Sequence, residues 1–301
     1  MILFKKVELE DQELYKKYMA KQNCRGCEYT FANLYLWSRF YYVQAAVAED
    51  MLIAKSETEE ELSFSFPMGD NRNLPAAMEA MKAYSEEKGK PFRMHSVTKE
   101  QFALLAELYP GRFQIEYDRD HADYIYEAEK LAKLSGKKYH GKKNHTNKFK
   151  KMYPDWSYES LSDENLEECF QMALKWRTQN GCEDHPEKNA EMCVTLNSLR
   201  LFKELGLRGG LLRVNGQVAA FSIGEPVTED TFVVHIEKAF ADIPGAYPMI
   251  NQQFVLHETQ GYTYINREED MGEEGLRQAK LSYKPVFMEE KGVVTETEEK
   301  R

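Results

Sequence analysis

Between residues 61 and 111 the chain reads strand, helix, strand, helix, and from residue 231 it reads so again. "ELSFSFP" (61–67) alternates like a half-buried strand, and "LPAAMEAMKAYSEEKG" (74–89) has helical spacing, with a proline near its start and a glycine after its end. "PFRMHSV" (91–97) alternates again, and "TKEQFALLAELYPG" (98–111) is a helix with a threonine cap, closed by Pro-Gly. In the second half, "TFVVHIEKAF" (231–240) and "YTYINRE" (262–268) are strands on either side of the helix "MINQQFVLHETQG" (249–261), and another helix begins near Glu273. The halves share an order of elements rather than residue identity. That order predicts α/β architecture with one domain type used twice, each copy a mixed sheet flanked by helices.

The 301 residues are enough for two such domains. Two long helical segments, 162–179 (capped by Ser162 or Asp163) and 186–205 (ended by Gly206), precede a hairpin whose turn is Asn215-Gly216, a strong two-residue turn signal. The second copy therefore reads α-α-β-β-β-α-β-α. The boundary is expected near residue 155, giving domains 1–155 and 156–301.

Composition excludes some classes. No apolar run approaches the ~18 residues that a membrane helix requires, and the start, "MILFKKVELEDQ", is too short in apolar residues for a signal peptide. The reading is a cytoplasmic protein. Five cysteines with wide spacing argue against a disulfide framework. "CRGC" at 24–27 has zinc spacing but no second ligand pair, so the expectation is free thiols and no metal.

Net charge is −10, yet residues 130–151 ("KLAKLSGKKYHGKKNHTNKFKK") hold nine lysines and no acid, so the rest of the chain carries −19. Lysines between 137 and 151, Lys142 and Lys143 among them, are candidates to contact an RNA backbone. A solvated linker helix would look the same.

The densest chemistry is in "YINREEDMGEEGLRQAKLSYKP" (264–285). The strands 231–240 and 262–268, joined by a helix, are expected to be parallel, so both end at one sheet edge, where α/β sheets bind ligands. Glu237 closes one strand and Glu269 and Asp270 the other; each is a candidate proton acceptor. Arg277 and Lys280 follow at helical spacing and are candidates to hold a substrate phosphate or ester, or to pair with the carboxylates. Tyr283 either packs or acts as a general acid. The acids also suit the start of a helix without any function. Gly245 precedes a helix whose N-terminus could cradle a pyrophosphate.

The run N-x-E-E-D-x-G-x-x-G-L-R-x-x-K at 266–280, with "GKKYHGKKNHTNKFKK" and "YTFANLYLWS" (29–38), resembles a bacterial family of uncharacterised proteins related to the C-terminal catalytic domain of phosphatidylglycerol lysyltransferase. The resemblance covers nearly the whole chain. It implies tandem domains of the GCN5-related N-acetyltransferase fold, as in Fem-type aminoacyl transferases. It also implies transfer of an amino acid from aminoacyl-tRNA to a lipid, peptide or small-molecule acceptor, with no tightly bound cofactor. The first copy has "SVTKE" where the second has "NREEDMG", so the second is taken as the catalytic copy and the first as non-catalytic. Two other readings stay open. One is a coenzyme A-dependent N-acyltransferase with acyl-CoA as donor. The other is a non-catalytic binding protein whose charges form internal salt bridges.

Overall fold

The computed structural model describes residues 2–297; the outermost ends of the two expected domains, Met1 and 298–301, lie outside the described residues. Its strands in chain order are β1 (Lys5–Lys6), β2 (Val43–Ala48), β3 (Met51–Glu57), β4 (Leu62–Ser65), β5 (Met68–Gly69), β6 (Arg93–Thr98), β7 (Phe113–Glu127), β8 (Ser157–Ser160), β9 (Arg208–Val214), β10 (Gln217–Pro226), β11 (Thr231–Ala239), β12 (Tyr264–Asn266) and β13 (Phe287–Glu296). They fall into two compact units. Of the described residues, the first holds 2–123, 269–274 and 288–297; the second holds 124–268 and 275–287.

In the first unit the strand order is β1-β2-β3-β4-β6-β13-β7, with β5 beside β3. β4 and β6 pair in parallel, Phe64 opposite Met94, around the helix Leu74–Glu87. That helix buries Leu74, Ala77, Met78 and Met81 in one stripe. They meet Phe64, Phe66, Phe92, Met94, Leu105 and Val294 in the core. The next helix, Lys99–Leu108, starts with a reciprocal cap: Gln101 N donates to Thr98 Oγ1 and Thr98 N donates to Gln101 Oε1.

In the second unit the order is β7-β12-β11-β10-β9-β8. β11 and β12 are parallel, Thr231 opposite Tyr264, around the helix Ala246–Glu258, as the sequence pattern predicts. Val214 and Gln217 close the β9–β10 hairpin, with Asn215 at φ 50° and Gly216 at φ 74°, the left-handed pair that such a turn demands. Each unit thus has a parallel pair flanked by antiparallel ones.

The junction expected near residue 155 is elsewhere. The chain crosses from the first unit to the second inside β7, between Asp123 and Tyr124, so one strand of a single continuous sheet belongs to both units. Two packing facts account for the shift. The basic helix His140–Met152 buries Phe149 in the second unit's core with Leu212, Met249 and Ile250. The C-terminal strand, expected in the second domain, pairs antiparallel with β6 and buries Val294 in the first unit's core. The helix start expected at Ser162 or Asp163 is also displaced: the helix runs Leu166–Gln179, and Asn165 Oδ1 accepts from Ser162 N.

Candidate active site

Alternation along β11 brings His235 and Glu237 to one face. Glu237 accepts hydrogen bonds from Arg267 Nη2 at 2.8 Å and from Asn251 Nδ2 at 3.1 Å. Arg267 directly follows β12, and Asn251 lies on the crossover helix, so the β-α-β unit supplies all three groups. The guanidinium centre is 4.7 Å from the Tyr283 ring and 5.7 Å from the Tyr126 ring. Lys142 Nζ sits 3.9 Å from the centroid of the Tyr283 ring. Burial, and then the nearby Arg267 charge, pull the Lys142 ammonium down to about 8. Burial pushes the Tyr283 phenol well up, so it keeps its proton at neutral pH.

Two neighbouring groups hold this arrangement. Lys280 Nζ donates to the carbonyls of Arg267 (2.6 Å) and Glu268 (3.1 Å), and the Tyr126 hydroxyl donates to the Lys280 carbonyl at 2.8 Å. Glu268 has φ 57°, a conformation uncommon outside glycine, and this ammonium staples it. His235 lies between Glu268 Oε1 (2.7 Å) and Glu225 Oε1 (3.2 Å). Burial alone would lower its pKa, but the two carboxylates raise it to about 10.

The first unit has a centre of its own. Lys291 Nζ is 2.7 Å from Glu28 Oε1, 2.8 Å from Asp123 Oδ1, 3.7 Å from Glu269 Oε2 and 3.9 Å from Cys27 Sγ. Cys27, Asp123 and Glu269 offer atoms within 4.8 Å of one another, a spacing that suits a metal ion. The Lys291 ammonium, buried at 1% exposure, already supplies a cation there. Burial, then Asp123, hold the Cys27 thiol far above its ordinary pKa, which argues against a reactive thiolate.

The residues singled out in the sequence therefore divide. Glu237, Tyr283 and Lys142 come together around Arg267. Glu269 belongs to the Lys291 centre. Asp270 is fully buried in the first unit, where it meets Arg119 Nη1 at 3.3 Å and accepts from Gly272 N at 3.0 Å. Arg277 is half-buried on the helix Glu274–Leu281, and Lys280 is engaged by backbone carbonyls. Gly245, at φ 88°, caps the crossover helix; a Cβ there would meet the His145 carbonyl at 2.9 Å and Phe149 Cβ at 3.0 Å. Close packing on the basic helix accounts for that glycine without a ligand.

On the basic helix, Lys142, Thr146 and Phe149 share the inner face, and Lys143, Lys148, Lys150 and Lys151 are exposed. A depression of about 420 Å³ is lined by Lys137, His140, Lys143, Asn144 and Asn147. Another, of about 480 Å³, includes Lys130, Lys137, Lys138 and Lys284. Sequence reasoning missed Arg267, Asn251, His235 and the Lys291 centre. Arg267 was detectable, since it stands between the strand and the carboxylates.

The fold places the chain in a class before its relatives do: it is a mixed α/β protein, sharing its fold with L-PGS from Bacillus licheniformis (TM-score 0.65, 15% identity, 95% of this chain and 91% of that one). The family model for phosphatidylglycerol lysyltransferase, C-terminal, matches residues 20–294, and the chain belongs to that family. A conserved protein of unknown function from Bacteroides thetaiotaomicron is 38% identical, with TM-score 0.93 over 99% of this chain and 100% of that one. An uncharacterized protein of Mycoplasmoides gallisepticum is 27% identical over 171 residues; the match spans 55% of this chain and 53% of that protein's length. Among the described residues no helix is long and apolar enough to cross a membrane.

Proposed function

We propose that this chain is an aminoacyl transferase that takes an activated amino acid from aminoacyl-tRNA and passes it to a nucleophilic acceptor. The observation that carries the reading is the Glu237–Arg267–Tyr283–Lys142 group in a chain of this family. Glu237 takes the proton of the attacking amine or hydroxyl, and Arg267 and Asn251 orient it. The Lys142 ammonium faces the charge that develops on the carbonyl oxygen. Tyr283, which keeps its proton, donates to the departing ribose oxygen. The new acyl bond forms as the ester C–O bond breaks, and no covalent enzyme intermediate is needed. The exposed lysines around the two depressions hold the RNA backbone.

The test is a transfer assay on the purified full chain. Aminoacyl-tRNA labelled in the amino acid is supplied with lipid, peptide or small-molecule acceptors, and acyl-CoA replaces it as donor in a parallel reaction. Label should reach an acceptor from tRNA. Transfer from acyl-CoA alone would instead support the coenzyme A reading, and transfer from neither would support a binding protein.

A further inference from the structure

Arg267 and Asn251 each spend one polar atom on Glu237. Their other atoms, Arg267 Nη1 and Asn251 Oδ1, are buried with no hydrogen-bond partner. Leaving such a group unsatisfied is costly, and native proteins rarely tolerate it without a reason. Here two such atoms flank the same carboxylate, one a cationic donor and the other a neutral acceptor.

The pair defines a ligand by its complement. Arg267 Nη1 calls for an anionic or strongly polar acceptor, and carboxylate is the group that a guanidinium matches best. Asn251 Oδ1 calls for a donor, and Glu237 beside it favours a cationic one. The charges agree, since two cations, Arg267 and Lys142, stand near one carboxylate, Glu237. A phosphate would leave Asn251 Oδ1 idle.

We propose that this centre binds an α-amino carboxylate, with its carboxylate on Arg267 Nη1 and its ammonium on Asn251 Oδ1 and Glu237. The inference rests on the transferase reading and names its acceptor. The ammonium gives one proton to Glu237, the amine attacks the ester carbonyl and a C–N bond forms; as the C–O bond to the tRNA ribose breaks, Tyr283 protonates the departing ribose oxygen and takes up the second proton lost from the nitrogen. The product is an amide. This chemistry has two sources, a free amino acid and the serine headgroup of a phospholipid.

Titration calorimetry and melting of the full chain with L-alanine, L-serine, propionate and ethylamine test the binding. Vesicles of phosphatidylserine, compared with phosphatidylglycerol, separate the two sources. Alanine or serine, or phosphatidylserine vesicles, should bind at least about tenfold more tightly than the analogue lacking one of the two charges. Arg267→Gln should erase that preference. If Arg267→Gln does not fold, the wild-type series decides alone. Equal binding of alanine, propionate and ethylamine, or none by any probe, overturns the proposal and leaves solvent as the partner of both atoms. Amino-acid binding without transfer from tRNA would sink the transferase reading but not the site. Transfer to a lipid hydroxyl without amino-acid binding would do the reverse.

Discussion

Lys291 in the first unit has Glu28 at 2.7 Å, Asp123 at 2.8 Å and Glu269 at 3.7 Å, whereas Arg267 in the second has Glu237 at 2.8 Å on one nitrogen and no partner on another. Both are cations held against carboxylates in mixed α/β units with one parallel strand pair each. The first centre is saturated, with three carboxylates sharing one ammonium. The second is under-coordinated, and a second cation, Lys142, is pushed towards neutrality beside it. A saturated buried network needs nothing further, whereas an unsatisfied one has atoms that a ligand would complete. This difference is why the second unit, rather than the carboxylates with the most partners, is read as the active one.

The sharpest way to break the comparison is to delete each cation. Lys291→Met strips the ammonium counter-charge from Asp123, which is fully buried, and should cost about 3–5 kcal/mol in denaturant unfolding. Its transfer activity, measured at a temperature where the variant is folded, should stay near wild type. If Lys291→Met unfolds no more easily than wild type, the first centre is not structural.

At the second centre the balance should invert. Glu237→Gln keeps size and one acceptor oxygen but cannot take a proton, and transfer should fall by about 10²–10⁴-fold with a smaller change in stability. Transfer should also decline as pH rises through about 8, where the Lys142 ammonium is lost, and Lys142→Arg should remove that decline. A Glu237→Gln variant with wild-type rate would remove this carboxylate from the mechanism.

His235 separates stability from catalysis within the second unit. Its folded pKa, about 10, lies above the ordinary histidine value. Its contribution to stability is therefore full below about 6.5 and is lost as pH rises through about 10. Melting temperature should fall across that window in wild type, and more shallowly in His235→Gln. Equal slopes would mean that the Glu225–His235–Glu268 bridge contributes nothing.

The sequence disclosed the two β-α-β units because their signals are local: alternation, helical spacing, caps, and the Asn215-Gly216 turn. It disclosed Glu237, Tyr283 and Lys142 as residues worth testing. It did not disclose that Lys142 faces inward while Lys143 faces out. That depends on Thr146 and Phe149 fixing the helix face against a core assembled far along the chain. Nor did it show that Glu269 and Asp270 pack with the first unit while Glu268 packs with the second. Three consecutive carboxylates are equivalent by composition. What separates them is pairing with Arg119, Lys291 and His235, residues at separations that no local pattern reports. Nor does any local pattern mark the division by contacts inside β7, since a strand crossing between units looks like any other strand.

The smallest effect should come from the outer face of the basic helix. Lys143 on that face and Lys138 in the turn just before it are exposed, so reversing both to glutamate should change stability by no more than about 0.5 kcal/mol. If they hold an RNA backbone, tRNA binding should weaken similarly for every tRNA tested. The slope of log affinity against log salt should become shallower by about one unit per lysine lost, because fewer counterions are released. Lys142→Glu should behave differently. It places an acid over the Tyr283 ring beside Glu237, so it should cut transfer at saturating tRNA and alter the salt slope little. Were Lys142 and Lys143 to act alike in both measurements, inner and outer faces would have one role, and the basic helix would be an RNA surface alone.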